Sequence, residues 1–202
     1  LDQLRIDQAC IVGHSWGASV ALHFAANFAD RTHSVVLVDG GAFTPANIVD
    51  RGLISRERLR VELTPPEGPF TQSQLRAHYL PEELGLSIEQ QDCVMRAIDR
   101  TYQSAPVTGL VTTIGIQRHM AVLDAFLDYN PDSDLELITV PAWILVACDF
   151  YASTGVDILD DWARAKYDAD GKVQGKMNIA LQHWYGAVHD VPLYWPGRVA
   201  RL

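Results

Sequence analysis

Two patterns of apolar and polar positions divide the chain. Short apolar runs rich in Val, Ile, Leu and Ala, too short for helices, predict buried parallel strands at 8–13, 34–39, 140–148 and 177–181. Small and apolar residues recur from Gly17 to Phe28 with almost no charge, which predicts a helix packed closely on the sheet. The first 39 residues therefore predict a strand, helix, strand unit with a right-handed crossover.

The middle of the chain follows a helical pattern instead. From about Phe43 to Asp134 clusters of Pro and Gly separate the helical segments, and no stretch there predicts a strand. The predicted helices cover 54–63, 71–79, 87–103 and 113–129, with later ones near 156–168 and from Pro196. The simplest organisation is a core α/β domain in two parts, 1–43 and 136–202, interrupted by a helical cap at 44–135.

Composition and charge exclude several classes of protein. The 202 residues are 48% hydrophobic and 20% charged, as in an ordinary globular domain, and a net charge of −9 without a basic run argues against nucleic-acid or anionic-membrane partners. No apolar stretch reaches the ~18 residues of a membrane helix. Cys10, Cys93 and Cys148 are widely scattered, which favours a reducing compartment such as the cytoplasm and predicts no metal site.

The first candidate for chemistry lies between the first predicted strand and its helix. Residues 13–17, Gly-His-Ser-Trp-Gly, match the G-x-S-x-G pattern of a nucleophilic serine on a sharp turn. Glycines two residues away on either side leave room for the strained serine. We expect Ser15 to be exposed at the end of the strand, with the backbone N–H of Trp16 placed to donate to a developing oxyanion.

A serine nucleophile needs a base, and the chain contains seven histidines. His14 lies within the motif and is expected to flank the nucleophile. His189 follows the last predicted strand and precedes the predicted C-terminal helix, where a loop can reach back to Ser15. Its order after the serine motif makes His189 the candidate base.

With these motifs the sequence resembles the C-terminal portion of an α/β-hydrolase of the cap-bearing, esterase-like branch. The resemblance rests on 12–18, 38–41, 140–146 and 188–192, with Pro196. It implies the α/β-hydrolase fold, a mostly parallel sheet with a helical cap insertion, truncated at the N-terminus because family members open with several strands before the serine motif. It also implies Ser15 as nucleophile, His189 as general base, Trp16 and His14 on the oxyanion and substrate side, and neither a metal nor an organic cofactor.

The acid of the triad stays open between two main candidates. The family most often places it after the strand at 140–148, where Asp149 is the first carboxylate, although it lies 40 residues before His189. Some relatives, the haloalkane dehalogenases among them, carry the acid at the end of the strand after the serine, which is the position of Asp39. Further alternatives are Asp157, Asp160 and Asp161.

Three functions are compatible with these residues. The first is a serine hydrolase that cleaves a small, partly apolar ester, lactone or thioester through an acyl-enzyme. The second is an aminopeptidase for an N-terminal proline or similar residue, whose amine would bind Glu82, Glu83 or Glu89. The third is a non-catalytic ligand-binding or interaction protein on the same fold. Because only four parallel strands are predicted, one sheet edge is left unpaired, and we expect self-association or pairing with the missing N-terminal half.

Overall fold

Four parallel strands form the central sheet of the computed structural model, which describes residues 1–50, 52, 54–105, 109–148, 164, 166 and 168–201. The strands of the described part are β1 (Ala9–His14), β2 (Thr32–Val38), β3 (Tyr102–Ser104), β4 (Leu110–Thr112), β5 (Ala142–Cys148) and β6 (Ile179–Tyr185). The sheet has the order β1-β2-β5-β6, and all three of its pairings are parallel. The four strands predicted from apolar runs are therefore confirmed, and β6 extends past its apolar part into the polar residues 182 and 183.

Helices fill most of the remaining described chain. They are α1 (Trp16–Asn27), α2 (Pro45–Asp50), α3 (Arg56–Glu62), α4 (Gln72–Tyr79), α5 (Ile88–Thr101), α6 (Ile116–Asp128), α7 (Asp132–Leu137), a helical stretch over 168–173, and two short C-terminal helices at Val191–Tyr194 and Pro196–Val199. The predicted helix near 156–168 lies largely outside the described residues. In the described part, no helix has the length and apolarity needed to cross a membrane.

The chain forms two compact units. One contains the sheet and comprises residues 1–60 and 125–189, and the other is mainly helical and comprises 61–124 and 190–202. In the second unit α4 and α5 both begin with a capping box, at Thr71 and Ser87, whose hydroxyls accept from backbone N–H groups of the first turn. These capping boxes mark where α4 and α5 begin, which the pattern of polar and apolar residues alone locates only approximately.

The expectation that the middle of the chain contains no strand is wrong. Residues Tyr102–Ser104 and Leu110–Thr112 pair as an antiparallel hairpin, in which Tyr102 lies opposite Thr112. Tyr102 is also where the predicted helix over 87–103 stops, since α5 ends at Thr101. Strands of three residues are too short to produce the alternation on which strand prediction depends.

Helix α1 covers one face of the sheet with small residues. Ala18, Ala21, Leu22 and Ala25 are all buried and follow the spacing of a single helical face. They join the sheet's inward side chains in the main hydrophobic cluster. Small side chains allow the helix backbone to approach the strands closely, which brings the first residue of α1 to the end of β1.

This close approach is tightest at Gly13. A Cβ atom built on Gly13 would lie 2.1 Å from the carbonyl oxygen of Gly17 and 2.7 Å from the Cα of Ala18, whereas a Cβ on Gly17 meets nothing within 4 Å among the described residues. Of the two glycines expected to be needed for space around the serine, only Gly13 is therefore constrained sterically by the described chain. Both clashing atoms belong to the backbone and have little freedom to move.

We expect Gly13→Ala to lower the free energy of unfolding by about 3 kcal/mol or more, since overpacking against backbone forces the helix away from the strand. Gly17→Ala is the matched control and is expected to change it by less than about 1 kcal/mol. Urea unfolding followed by circular dichroism measures both variants. Equal losses in the two variants would contradict the packing account.

Candidate active site

Ser15 occupies the turn that joins β1 to α1. Its backbone lies in a sparsely populated region, with φ 55° and ψ −125°, and α1 begins at the next residue, Trp16. The N–H of Ser15 donates to the carbonyl of Val38, at the end of the neighbouring strand, at 3.0 Å. The strained turn is thus held by the sheet, and it directs the serine away from the strand's end.

Asp39 follows β2 as Ser15 follows β1. His14 pairs with Val38 in the parallel register, so the two residues leave the same edge of the sheet side by side. Asp39 also has a positive φ, 44°, and its N–H donates to the carbonyl of Leu145 in β5 at 2.7 Å. The following Gly40 lies so close to Ser15 that a Cβ there would be 2.4 Å from the Ser15 carbonyl oxygen.

His189 connects the two residues. The Nδ1–H of its ring donates to Oδ2 of Asp39 at 2.6 Å, and its Nε2 lies 2.9 Å from Oγ of Ser15. With Nδ1 protonated, Nε2 is the acceptor and the serine hydroxyl is the donor. The histidine lies on the loop after β6, and its side chain is 43% exposed while that of Asp39 is fully buried. The arrangement runs from a buried carboxylate through a partly exposed imidazole to a half-buried serine.

His14 holds the loop that carries His189. Its Nε2 lies 2.8 Å from the backbone carbonyl oxygen of His189, and because a carbonyl only accepts, His14 must donate this bond. The two imidazole rings lie 4.9 Å apart. Structurally, His14 thus fixes the backbone from which the His189 ring projects.

The carboxylate of Asp39 has two further donors. Its Oδ1 accepts from the N–H of Ala147 at 2.8 Å, and its Oδ2 accepts from Nζ of Lys166 at 2.9 Å. Burial alone would raise the pKa of Asp39, but the hydrogen bond from His189 and the charge of Lys166 outweigh it and hold the pKa below the ordinary value of 3.8. Asp39 is therefore ionised at neutral pH despite its burial.

Trp16, the expected oxyanion donor, is half-buried next to Ser15. Its ring packs edge-on against Phe126 at 5.2 Å and Tyr129 at 6.0 Å. Tyr129 is held in turn by a 2.6 Å hydrogen bond from its hydroxyl to the buried carboxylate of Asp134. These contacts fix the indole at the start of α1, where the backbone N–H of Trp16 begins the helix.

The remaining acid candidates have no described position. Asp149, Asp157, Asp160 and Asp161 all lie outside the described residues. Among the candidates that the structure describes, Asp39 is the one in contact with His189.

Lys166 is the residue near this centre that the sequence reasoning missed. It is only 5% exposed, and Ala169 and Val173, three and seven residues further along the chain, are also buried. A lysine at the first position of an apolar stripe with spacing i, i+3 and i+7 is the signal that was available. The sequence contains no sign of the carboxylate that it contacts.

In this arrangement Nδ1 of His189 bonds to Asp39 and Nε2 bonds to Ser15. A metal ligand needs an unprotonated nitrogen directed at the ion. The expectation that the site uses no metal stays a prediction.

Comparisons with known proteins identify the fold. The model of the alpha/beta hydrolase family matches residues 1–199. Among solved structures, an E-2-(acetamidomethylene)succinate hydrolase has a TM-score of 0.66 and 19% sequence identity, covering 99% of this chain and 66% of its own. A thioesterase domain from the curacin biosynthetic pathway has a TM-score of 0.59 and 18% identity, covering 99% of this chain and 67% of its own.

An N-acyl homoserine lactone degrading enzyme has a TM-score of 0.53 and 15% identity, and it covers 100% of this chain and 68% of its own. The chain thus spans about two thirds of the length of these structures. Curated proteins yield no match. Identities this low indicate a shared fold and say nothing of a shared substrate.

The lowered pKa of Asp39 predicts how the free energy of unfolding depends on pH. A carboxylate whose pKa is lowered by folding contributes stability that is present above its unfolded value, near 3.8, and lost as the pH falls through the folded value. We expect Asp39→Asn to be less stable than the wild type at pH 7, because it leaves the buried Lys166 ammonium without its carboxylate. The difference should narrow as the pH falls below about 4. Urea unfolding at a series of pH values measures it, and a difference independent of pH would refute the assignment.

Proposed function

Because the chain belongs to the alpha/beta hydrolase family, we propose that it is a serine hydrolase that cleaves a carboxylic ester, lactone or thioester through an acyl-enzyme. The observation that carries the proposal is the continuous series of hydrogen bonds from Asp39 through His189 to Ser15, at 2.6 and 2.9 Å. These distances lie within the range that proton transfer between a nucleophile and its base requires.

In the proposed first step, Oγ of Ser15 attacks the carbonyl carbon of the substrate while its proton passes to Nε2 of His189. The imidazolium so formed keeps its Nδ1–H bond to the Asp39 carboxylate, which stabilises the positive charge. The carbonyl oxygen becomes an oxyanion, and the N–H of Trp16, at the start of α1, supplies a donor for it.

In the later steps the leaving group takes the proton from His189 and departs, which leaves an ester between Ser15 and the acyl group. His189 then removes a proton from water, whose oxygen attacks the acyl carbon. Collapse of the second tetrahedral intermediate returns the proton to Ser15 and releases the carboxylic acid. From the described residues, this cycle uses Ser15, His189, Asp39 and the backbone donor.

The proposed substrate class is defined by an acyl carbon that the serine can attack. Two of the structural neighbours are named for acting on a thioester and on an N-acyl homoserine lactone. Esters, thioesters and lactones all present a carbonyl with a leaving group that needs a single proton. We also propose that the substrate is small and partly apolar, as the sequence analysis expects.

We expect a fluorescent fluorophosphonate to label the chain covalently at Ser15 and labelling to be abolished in Ser15→Ala, because the reagent reacts with a serine that a base has activated. Ser19→Ala is the matched control, since Ser19 lies one turn further along α1 with its hydroxyl buried. Gel fluorescence with peptide mass spectrometry locates the label. Labelling that persists in Ser15→Ala, or that never occurs in folded wild type, would disprove the proposed nucleophile.

The acid of the triad is tested by a pair of matched variants. We propose that Asp39 is the acid, and we expect Asp39→Asn to lower kcat for a nitrophenyl ester by about 10⁴-fold, because an asparagine favours the wrong tautomer of the histidine. Asp149→Asn should stay within about threefold of the wild type. Stopped-flow or plate assays with both variants measure the ratio, and the reverse ranking would transfer the role to Asp149.

A further inference from the structure

Lys166 is a buried cation inside the charge network of the candidate site. Its side chain is 6% exposed, and its Nζ donates to Oδ2 of Asp39 and to the backbone carbonyl of Ala147, each at 2.9 Å. A buried ammonium is costly unless it is paired and hydrogen-bonded, and these two acceptors satisfy it. The carboxylate of this ion pair is the same one to which the ring of His189 donates.

Lys166 and His189 share a single oxygen atom. Both Nζ of Lys166 and Nδ1 of His189 bond to Oδ2 of Asp39, at 2.9 and 2.6 Å, so the two nitrogens lie within about 5.5 Å of each other. The other oxygen, Oδ1, is taken by the N–H of Ala147. The carboxylate plane is therefore set by three donors from three separate parts of the chain.

We propose that Lys166 is a positioning residue that sets the pH range over which His189 acts as the base for Ser15. The proposal deepens the proposed function and rests on it. Lys166 fixes the orientation of Asp39 and places its ammonium group beside the ring on which the reaction must create a positive charge.

The direction of the effect follows from the charges. A cation close to an imidazole disfavours its protonation, so we expect removal of the Lys166 charge to move the acid limb of the activity profile upward. Among the described residues the groups facing His189 are Asp39, Ser15 and His14, together with its chain neighbour Asp190, whose carboxylate lies within 4.8 Å of the ring. The negative charge of Asp39 acts on the ring in the opposite direction to the positive charge of Lys166.

Removal of the cation also affects Asp39 itself. The charge of Lys166 is one of the causes that hold the pKa of Asp39 below its ordinary value against burial. Without it, this pKa rises, and the carboxylate is protonated at higher pH.

The test is the pH dependence of kcat/KM for a nitrophenyl ester, and of the fluorophosphonate labelling rate, in Lys166→Met. We expect the midpoint of the acid limb to rise by about one pH unit or more. The plateau above it should stay within about tenfold of the wild type. Lys166→Arg, which keeps the positive charge, should hold the limb near its wild-type position.

The matched control is Lys172→Met, because Lys172 lies six residues further along the chain and pairs with the carboxylate of Asp132 instead. This variant also removes one positive charge but leaves the contacts of Asp39 unchanged, so we expect no movement of the limb. Lys166→Gln keeps N–H donors without the charge. This variant carries the test where Lys166→Met does not fold.

An unchanged acid limb in a folded, uncharged variant overturns the proposal, as does an equal shift in Lys172→Met. Loss of activity at all pH values without movement of the limb overturns it as well, because it indicates a purely structural lysine. Wild-type protein that is neither active nor labelled refutes the proposed function instead. In that case NMR of ¹⁵N-labelled histidine measures the titration midpoint of His189 in the wild type and in Lys166→Met. Equal midpoints overturn the role of Lys166 independently of turnover.

Discussion

The candidate site depends on one buried charge, the carboxylate of Asp39. A carboxylate removed from water is stable only when donors replace its hydration, and here an amide of Ala147, the ammonium of Lys166 and the ring of His189 do so. Each donor comes from a different part of the chain: the end of β5, residue 166, and the loop after β6. The charge therefore determines where these segments meet, and the half-buried serine lies at the other end of the same series.

The sheet makes this meeting possible through the register of its parallel strands. His14 lies opposite Val38, and Val38 lies opposite Leu145, so the residues that follow β1 and β2 emerge together beside the end of β5. Ser15 and Asp39 both leave their strands with positive φ angles, which non-glycine residues seldom adopt. Strain at two adjacent turns is consistent with a geometry that function, and not local preference, maintains.

The sequence alone predicted much of the fold because the relevant signals are local. Apolar runs revealed the four sheet strands, and the pattern Gly-His-Ser-Trp-Gly between a strand and a helix identified the sharp turn at Ser15. The choice between Asp39 and Asp149 stayed open because spacing along the chain does not say which strand end faces the histidine. Lys166 was missed for a related reason: its burial on an apolar stripe is visible as a pattern, but its partner 127 residues away is not. The hairpin of β3 and β4 was not predicted because each of its strands has only three residues.

The central claim is that Asp39 fixes the tautomer of His189 so that Nε2 faces Ser15 as an acceptor. NMR of the chain with ¹⁵N-labelled histidine, at a pH where the ring is neutral, measures this directly. The account predicts that the proton of His189 resides on Nδ1 and is protected from exchange with water by its bond to Asp39. A proton on Nε2, or one that exchanges as fast as those of the exposed histidines, would contradict it.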